Sequence, residues 1–306
     1  MKKVMCLILA VGMVLMCSCV SYTSKSNNAV NYTIYCNKNY ANTITDKIQE
    51  TNQAESAKQN LKIEDGSLLE FSPTSETYTD NTVSQKISYK IDGEDFTLPY
   101  RSSYLKPFSE SNVAGLNNIS ETDLYCEPNG SGPTLEVRRG TGELLKFINI
   151  DPQSATKEGP FTTADAEQAA PKLIKSLYGE DVLSKLKLYR TTELDEGLNN
   201  NILVQYARFI GDYKTEEMIT VYYDRQGNVT GVLANLLGFV DAYGTTLTEE
   251  KVLAAENVLR EYLPKELISK EKHQFFIDVD SSGKCYLCIY LLLDETCLER
   301  FSINIL

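Results

Sequence analysis

The stretch Ile202–Leu237, ILVQYARFI-GD-YKTEEMITVYYDRQGNVTGVLANLL, decides the fold. Ile202 to Phe209 is a run of apolar and aromatic residues that reaches turn residues at Gly211-Asp212. Glu217 to Tyr223 follows and ends at Asp224-Arg225-Gln226-Gly227-Asn228, and Val229 to Leu237 returns. Runs of β-branched and aromatic residues bounded by Gly, Asp and Asn read as antiparallel strands joined by tight turns.

Upstream of these strands, Phe161-Thr162-Thr163-Ala164-Asp165-Ala166 opens a helix with Ala166, Ala169, Ala170, Leu173 and Leu177 on one face. Thr162 and Asp165 have the spacing of a capping box. Pro171 falls inside the pattern, which predicts a kink or a later start. The same order recurs some eighty-five residues on. Leu247-Thr248-Glu249-Glu250 opens a second helix carrying Val252, Ala255, Leu259 and Tyr262, and Ala169-Ala170 aligns with Ala254-Ala255. His273 to Val279 then leads through Asp280-Ser281-Ser282-Gly283 into Lys284 to Leu293, and Leu298 to Leu306 closes the chain.

Tyr206-Ala207-Arg208-Phe209-Ile210-Gly211-Asp212-Tyr213-Lys214, with Ile219 to Asp224 and Gly227-Asn228-Val229, resembles PepSY-type domains of Gram-positive exported proteins. The resemblance covers residues 160–240 and continues in 245–306 as a degraded copy. It implies a non-enzymatic extracytoplasmic module that restrains peptidases or binds cell-wall partners, and its motifs specify a fold more than an activity.

Between Leu61 and Ile150 the signals are strands and turns. Lys86 to Ile91 alternates with period two, Asp92-Gly93 supplies a turn, and Phe96 to Tyr100 resumes the pattern. Thr134 to Arg138 and Glu143 to Ile150 form a second hairpin about Gly140-Thr141-Gly142, and Ser109 to Asn118 is expected to be an exposed loop. The expected architecture is α+β, with a β-hairpin-rich region at 61–155 followed by two tandem small units, 156–242 and 243–306. Each unit is one helix packed on an antiparallel sheet. Residues 19–60, rich in Ser, Asn, Thr, Lys and Gln, read as a flexible tether, with Ile44 and Ile48 spaced for a short helix running to Ala57.

At the amino end, Lys2-Lys3 and the apolar run Val4–Met16 have the form of a signal peptide, residues 1–18. The run is too short to span a bilayer, which takes roughly 20 apolar residues. Leu15-Met16-Cys17-Ser18-Cys19 resembles a bacterial lipobox, which implies lipidation at Cys19 and an outer-face membrane anchor; secretion with release is the alternative. The formal charge of −12 argues against nucleic acid as a partner. The remaining expectation is a protein or peptide at the cell surface, with contact to the membrane through the lipid alone.

Candidate chemistry is sparse. His273 is the single histidine, and a Ser-His-Asp or Cys-His site would have to use it. Asp278 to Gly283 looks like the start of a calcium loop, but Ile289 stands where the bidentate Glu belongs, so the segment reads as a hairpin turn. Glu216-Glu217 and Glu249-Glu250 are adjacent carboxylates better suited to a solvated face or helix start than to a glycosidase pair. Cys285 and Cys288 lie in a strand-like run, which puts them on opposite faces and forbids a mutual disulfide. Cys297 could bridge to one of them; with Cys36 and Cys126 the count is odd, so at least one thiol stays free. Nineteen tyrosines, Tyr206, Tyr222 and Tyr290 among them, suit half-buried strands or recognition surfaces. No catalytic, metal or cofactor residue is assigned. The function classes left are a binding or peptidase-restraining module, a solute-binding lipoprotein of a transporter, and a cell-wall hydrolase.

Overall fold

The computed structural model describes residues 31–37, 40–42, 44, 60–69, 71, 76–105, 121–130, 132–149, 161–194, 201–263, 268, 275–292 and 298–306. The leader 1–18, Cys19, the loop 109–118, Ile48, His273 and Cys297 lie outside them. The described residues form a mixed structure of few helices and one large sheet, fifteen strands joined through shared neighbours.

The opening stretch forms its centre. β10 (Asn201–Ile210), β11 (Tyr213–Asp224) and β12 (Val229–Asn235) pair antiparallel, and β9 (Lys187–Leu194) adds to the outside of β10. β11 alternates: Tyr213, Thr215, Glu217, Ile219, Val221 and Tyr223 are buried on one face, with Thr220 buried on the other. Its two ends carry the helices. Gly211, at φ +58, precedes it, and a β-carbon there would collide with the Glu249 side chain at the start of helix α4 (Glu249–Tyr262). Gly227, at φ +82, follows it, and a β-carbon there would stand 2.6 Å from the Phe161 ring, just before helix α1 (Thr163–Tyr178). Only glycine allows both close approaches.

α1 opens with the expected capping box between Thr162 and Asp165. It then continues through Pro171 from the expected start, so the later start does not occur. Pro171 cannot bond the carbonyl of Glu167, but Glu167 is exposed and water can take that acceptor. Ala166, Ala170, Leu173 and Ile174 are buried against Ile202, Val204, Ile219 and Val221. A short α2 (Glu180–Ser184) follows. After β12 come α3 (Phe239–Tyr243) and α4, whose Val252, Ala255, Val258, Leu259 and Tyr262 pack on a second core cluster. Glu256 is also on that buried face, where it accepts hydrogen bonds from Tyr213 Oη and, at 2.5 Å, Arg260 Nε.

The amino-terminal strands extend the sheet from β12. β4 (Lys86–Ile91) and β5 (Glu94–Leu105) form the expected hairpin, β5 also pairing β3 (Thr77–Tyr78), and β6 (Glu121–Cys126), β7 (Thr134–Arg138) and β8 (Leu144–Ile148) lead to β12. On the other side β13 (Phe275–Val279), β14 (Cys285–Leu292) and β15 (Leu298–Asn304) are antiparallel. The two parts meet in a parallel seam, Lys214 against Phe276 and Thr215 against Ile277, so the strands of the expected units belong to one continuous sheet.

The tether expectation is corrected. Residues 31–36 form β1 (Asn31–Cys36), which pairs antiparallel with β15 through Ile34 and Ile303, and parallel with β2 (Asn60–Asp65). Tyr32, Ile34 and Cys36 are buried in the α4-side core, as is Ile44. An alternating apolar strand inside a polar stretch finds its core in residues near the far end of the chain. Among the described residues, no helix is long and apolar enough to cross a membrane.

Candidate functional site

Arg208, within the Tyr206–Lys214 segment that carries the resemblance, lies at a register shift in β10. Its Nη1 reaches Glu217 Oε2 at 3.2 Å and its Nη2 reaches Asp241 Oδ1 at 2.9 Å; Lys185 Nζ holds the other Asp241 oxygen at 2.9 Å. Glu217 is 1% exposed and also accepts from the Val240 amide in the first turn of α3. Burial raises the Glu217 pKa, and the neighbouring Arg208 only partly opposes that. Glu216 points to the other face and pairs with Lys214 at 2.6 Å. The two adjacent glutamates are therefore split by strand alternation, and Glu217 ties β10, β11 and α3 together. Glu249 and Glu250 occupy the first turn of α4, at its positive end.

The Asp280 carboxylate accepts from the amides of Ser282 and Lys284, each at 3.0 Å, and from Tyr286 Oη at 2.9 Å. Asp224 makes the same turn around the amides of Gln226 and Asn228. The calcium-like segment is thus a hairpin turn. Cys285 and Cys288 are buried on opposite faces as expected, and Cys36, Cys126, Cys285 and Cys288 are free thiols. Burial pushes the Cys288 thiol up to about 12, although Arg300 Nη2 lies 2.9 Å away, so it is not a thiolate nucleophile at neutral pH. Among the described residues no group of three His, Cys, Asp or Glu is placed to hold a metal.

The face of the sheet opposite α1 and α4 carries one cross-strand row, Phe209, Lys214, Phe276, Cys288, Ser302 and Tyr35, which are register neighbours over six strands. Cations lie between rings along it. Lys214 Nζ is 5.3 Å from the Tyr189 and Phe276 centroids, and the Arg300 guanidinium is 3.3 Å from that of Phe71. Phe276 stacks on Tyr290. Because Arg300 is also bound to Asp278 at 2.9 Å, the row is mutually satisfied and bridges the parallel seam. Of the tyrosines singled out in sequence, Tyr206 and Tyr222 are half-buried, and Tyr290 is exposed on this row.

A concavity lies elsewhere. A groove of about 580 Å³, within the range of ligand clefts, runs between α1 and the tip of the β4–β5 hairpin. Asp165, Ala169, Lys172, Leu173 and Ser176 form its helical wall, and Lys90, Asp92 and Gly93 the opposite one. Asp165 is committed to the Thr162 cap. Lys90 and Lys172 make no ion pair among the described residues. No sequence signal placed this groove, because its walls are separated by some seventy residues and meet only in the fold.

No family model matches the chain, and no curated protein does. Among solved structures, the Bacillus megaterium YpeB C-terminal domain bears a loose likeness. That likeness covers 84% of this chain and 89% of that chain, at 12% identity and a TM-score of 0.31.

Proposed function

We propose that this chain is an extracytoplasmic binding module, anchored through a lipid on Cys19, that captures a protein or peptide at the cell surface and restrains a peptidase. In this reading residues 156–242 and 243–306 are tandem PepSY-like units, the second degraded, fused into one sheet. The observation that carries it is the groove beside α1, a concave site with two unpaired lysines. Of the adjacent acids in the sequence, Glu217 is by contrast committed to Arg208 and the Val240 amide, tying β10, β11 and α3 together.

With β1 beginning at Asn31, few residues separate it from Cys19. Twelve peptide units from Cys19 span at most about 40 Å fully extended, which keeps the sheet close to the bilayer.

The test is capture. The chain from residue 20, with β1 retained, is immobilised and exposed to solubilised surface peptidases, and the activity of any captured enzyme is assayed with and without it. Retention and reduced turnover are expected; no captured protein and no change in any peptidase would refute the reading. Radiolabelled palmitate incorporation in the native host, lost in C19A, tests the anchor.

A further inference from the structure

One wall of the groove, Lys90 with Asp92 and Gly93, is the turn end of β4, whose outer edge carries no strand among the described residues. β4 pairs only with β5 among the described residues. Its loop, Asp92-Gly93 with φ of 50° and 90°, is a two-residue hairpin turn closed by Ile91 opposite Glu94. In such a hairpin the closing pair exchanges both hydrogen bonds and alternate pairs do the same. Ile91, Tyr89 and Ile87 therefore direct their amides and carbonyls to β5. The Tyr100 amide donating to the Gln85 carbonyl at 2.9 Å continues that parity. Lys90, Ser88 and Lys86 direct theirs the other way; the Lys86 carbonyl accepts from Ser84 Oγ, which leaves the edge groups of Ser88 and Lys90 for an incoming strand.

The charges define what that strand carries. Lys90 on the strand wall and Lys172 on the helix wall face the groove unpaired, in a chain whose net charge is −12. The acids on its lining are less free to oppose a ligand: Asp165 is held by Thr162, and Asp92 is in the loop at one end. An exposed strand edge beside a helix is a known geometry for peptide capture by strand addition.

We propose that the groove binds an extended segment of the partner protein as an added strand on β4, with an Asp or Glu side chain of that segment between Lys90 and Lys172. This rests on the binding-module reading and names the class of ligand it takes.

The experiment measures fluorescence anisotropy of a labelled, end-capped heptapeptide of alternating Val and Glu against the chain from residue 20. Saturable binding is expected, weakened at least tenfold by K90E/K172E and by raised salt. S88P, which removes an outward N–H and the Ser88–Thr97 side-chain hydrogen bond but no β4–β5 backbone bond, is expected to abolish it, while S88A, which loses only that side-chain bond, is expected to keep it. Two arms leave the protein unaltered: an alternating Val–Lys peptide and a backbone N-methylated Val–Glu peptide, both expected to fail. Equal binding of either, or binding that requires a free terminal carboxylate, overturns the proposal. Capture of a peptidase that K90E/K172E and S88P leave intact would overturn the groove while sparing the binding module; no capture at all would remove the module itself.

Discussion

The halves of the sheet under α1 and α4 receive the same kind of helix on the same face, yet they differ in how completely they are closed. Under α4 every residue of β13 is buried, and β14 is buried from Cys285 to Leu291 except at Tyr290. The opposite face there is covered too, by Tyr35, Leu69 and Phe71 over Phe276, Tyr286 and Cys288. Under α1, β9 is half exposed along its length, the hydroxyls of Tyr178 and Tyr223 are buried without a partner, and a groove opens beside the helix. The contrast teaches that β1 and β2, borrowed from the amino-terminal stretch, cover the α4 half and move its edge out to β2, while among the described residues β4 in the α1 half has β5 as its one partner.

Removal of residues 1–37 is the strongest way to break that contrast. Tyr32, Ile34 and Cys36 would leave the core and β15 would lose its neighbour. At about 2 kcal/mol for each buried side chain, more than about 5 kcal/mol is expected, enough to unfold the α4 half. Urea titration followed by hydrogen exchange of β13–β15 would show it; unchanged protection would mean that β1 seals nothing. Next in size, L287A is expected to cost about 3 kcal/mol, because Leu287 is wholly buried and its site is packed on both sides. K172A, at the groove, is expected to change stability by less than about 0.5 kcal/mol. Similar midpoints for the two variants would erase the difference between the halves.

The caps sharpen the comparison. T162A removes the N-cap of α1 and T248A that of α4, each at a cost of about 1 kcal/mol. Because the sheet is continuous, each is expected to lower a single calorimetric transition; two transitions that respond separately would show that the seam does not couple the halves. The smallest effect is a pH dependence. Burial raises the folded-state pKa of Glu217 above its unfolded value of about 4.3, so the folded chain holds this proton more tightly. The resulting stabilisation is present below pH 4.3 and is lost as pH rises through the folded pKa. E217Q should remove that slope, and a wild-type advantage over E217Q that grows with rising pH would contradict the assignment.

Much of this was legible in the sequence, for local reasons. β10, β11 and β12 announced themselves by their turn residues, α1 by its capping box, and α4 by the spacing of Val252, Ala255, Leu259 and Tyr262. What escaped was non-local. Asn31–Cys36 alternates apolar and polar residues, but averaged over forty polar neighbours it reads as tether, and its partner Ile303 is far along the chain. The parallel meeting of β11 and β13 depends on two residue pairs that no local pattern marks. Glu256 hid in the same way, as a charge on a helix face whose partners Tyr213 and Arg260 make it buriable. The groove required both β4 and α1 to be in place before either could be seen as a wall.

The pairing of Ile34 with Ile303 also orders events in time. Before β15 is in place, β1 can have β2 as a parallel neighbour but lacks its antiparallel one. Closure across so long a loop makes completion of this sheet late and slow. A polypeptide in which β15 has yet to form would thus carry two unzipped flanks at once, one on β1 and one on β14.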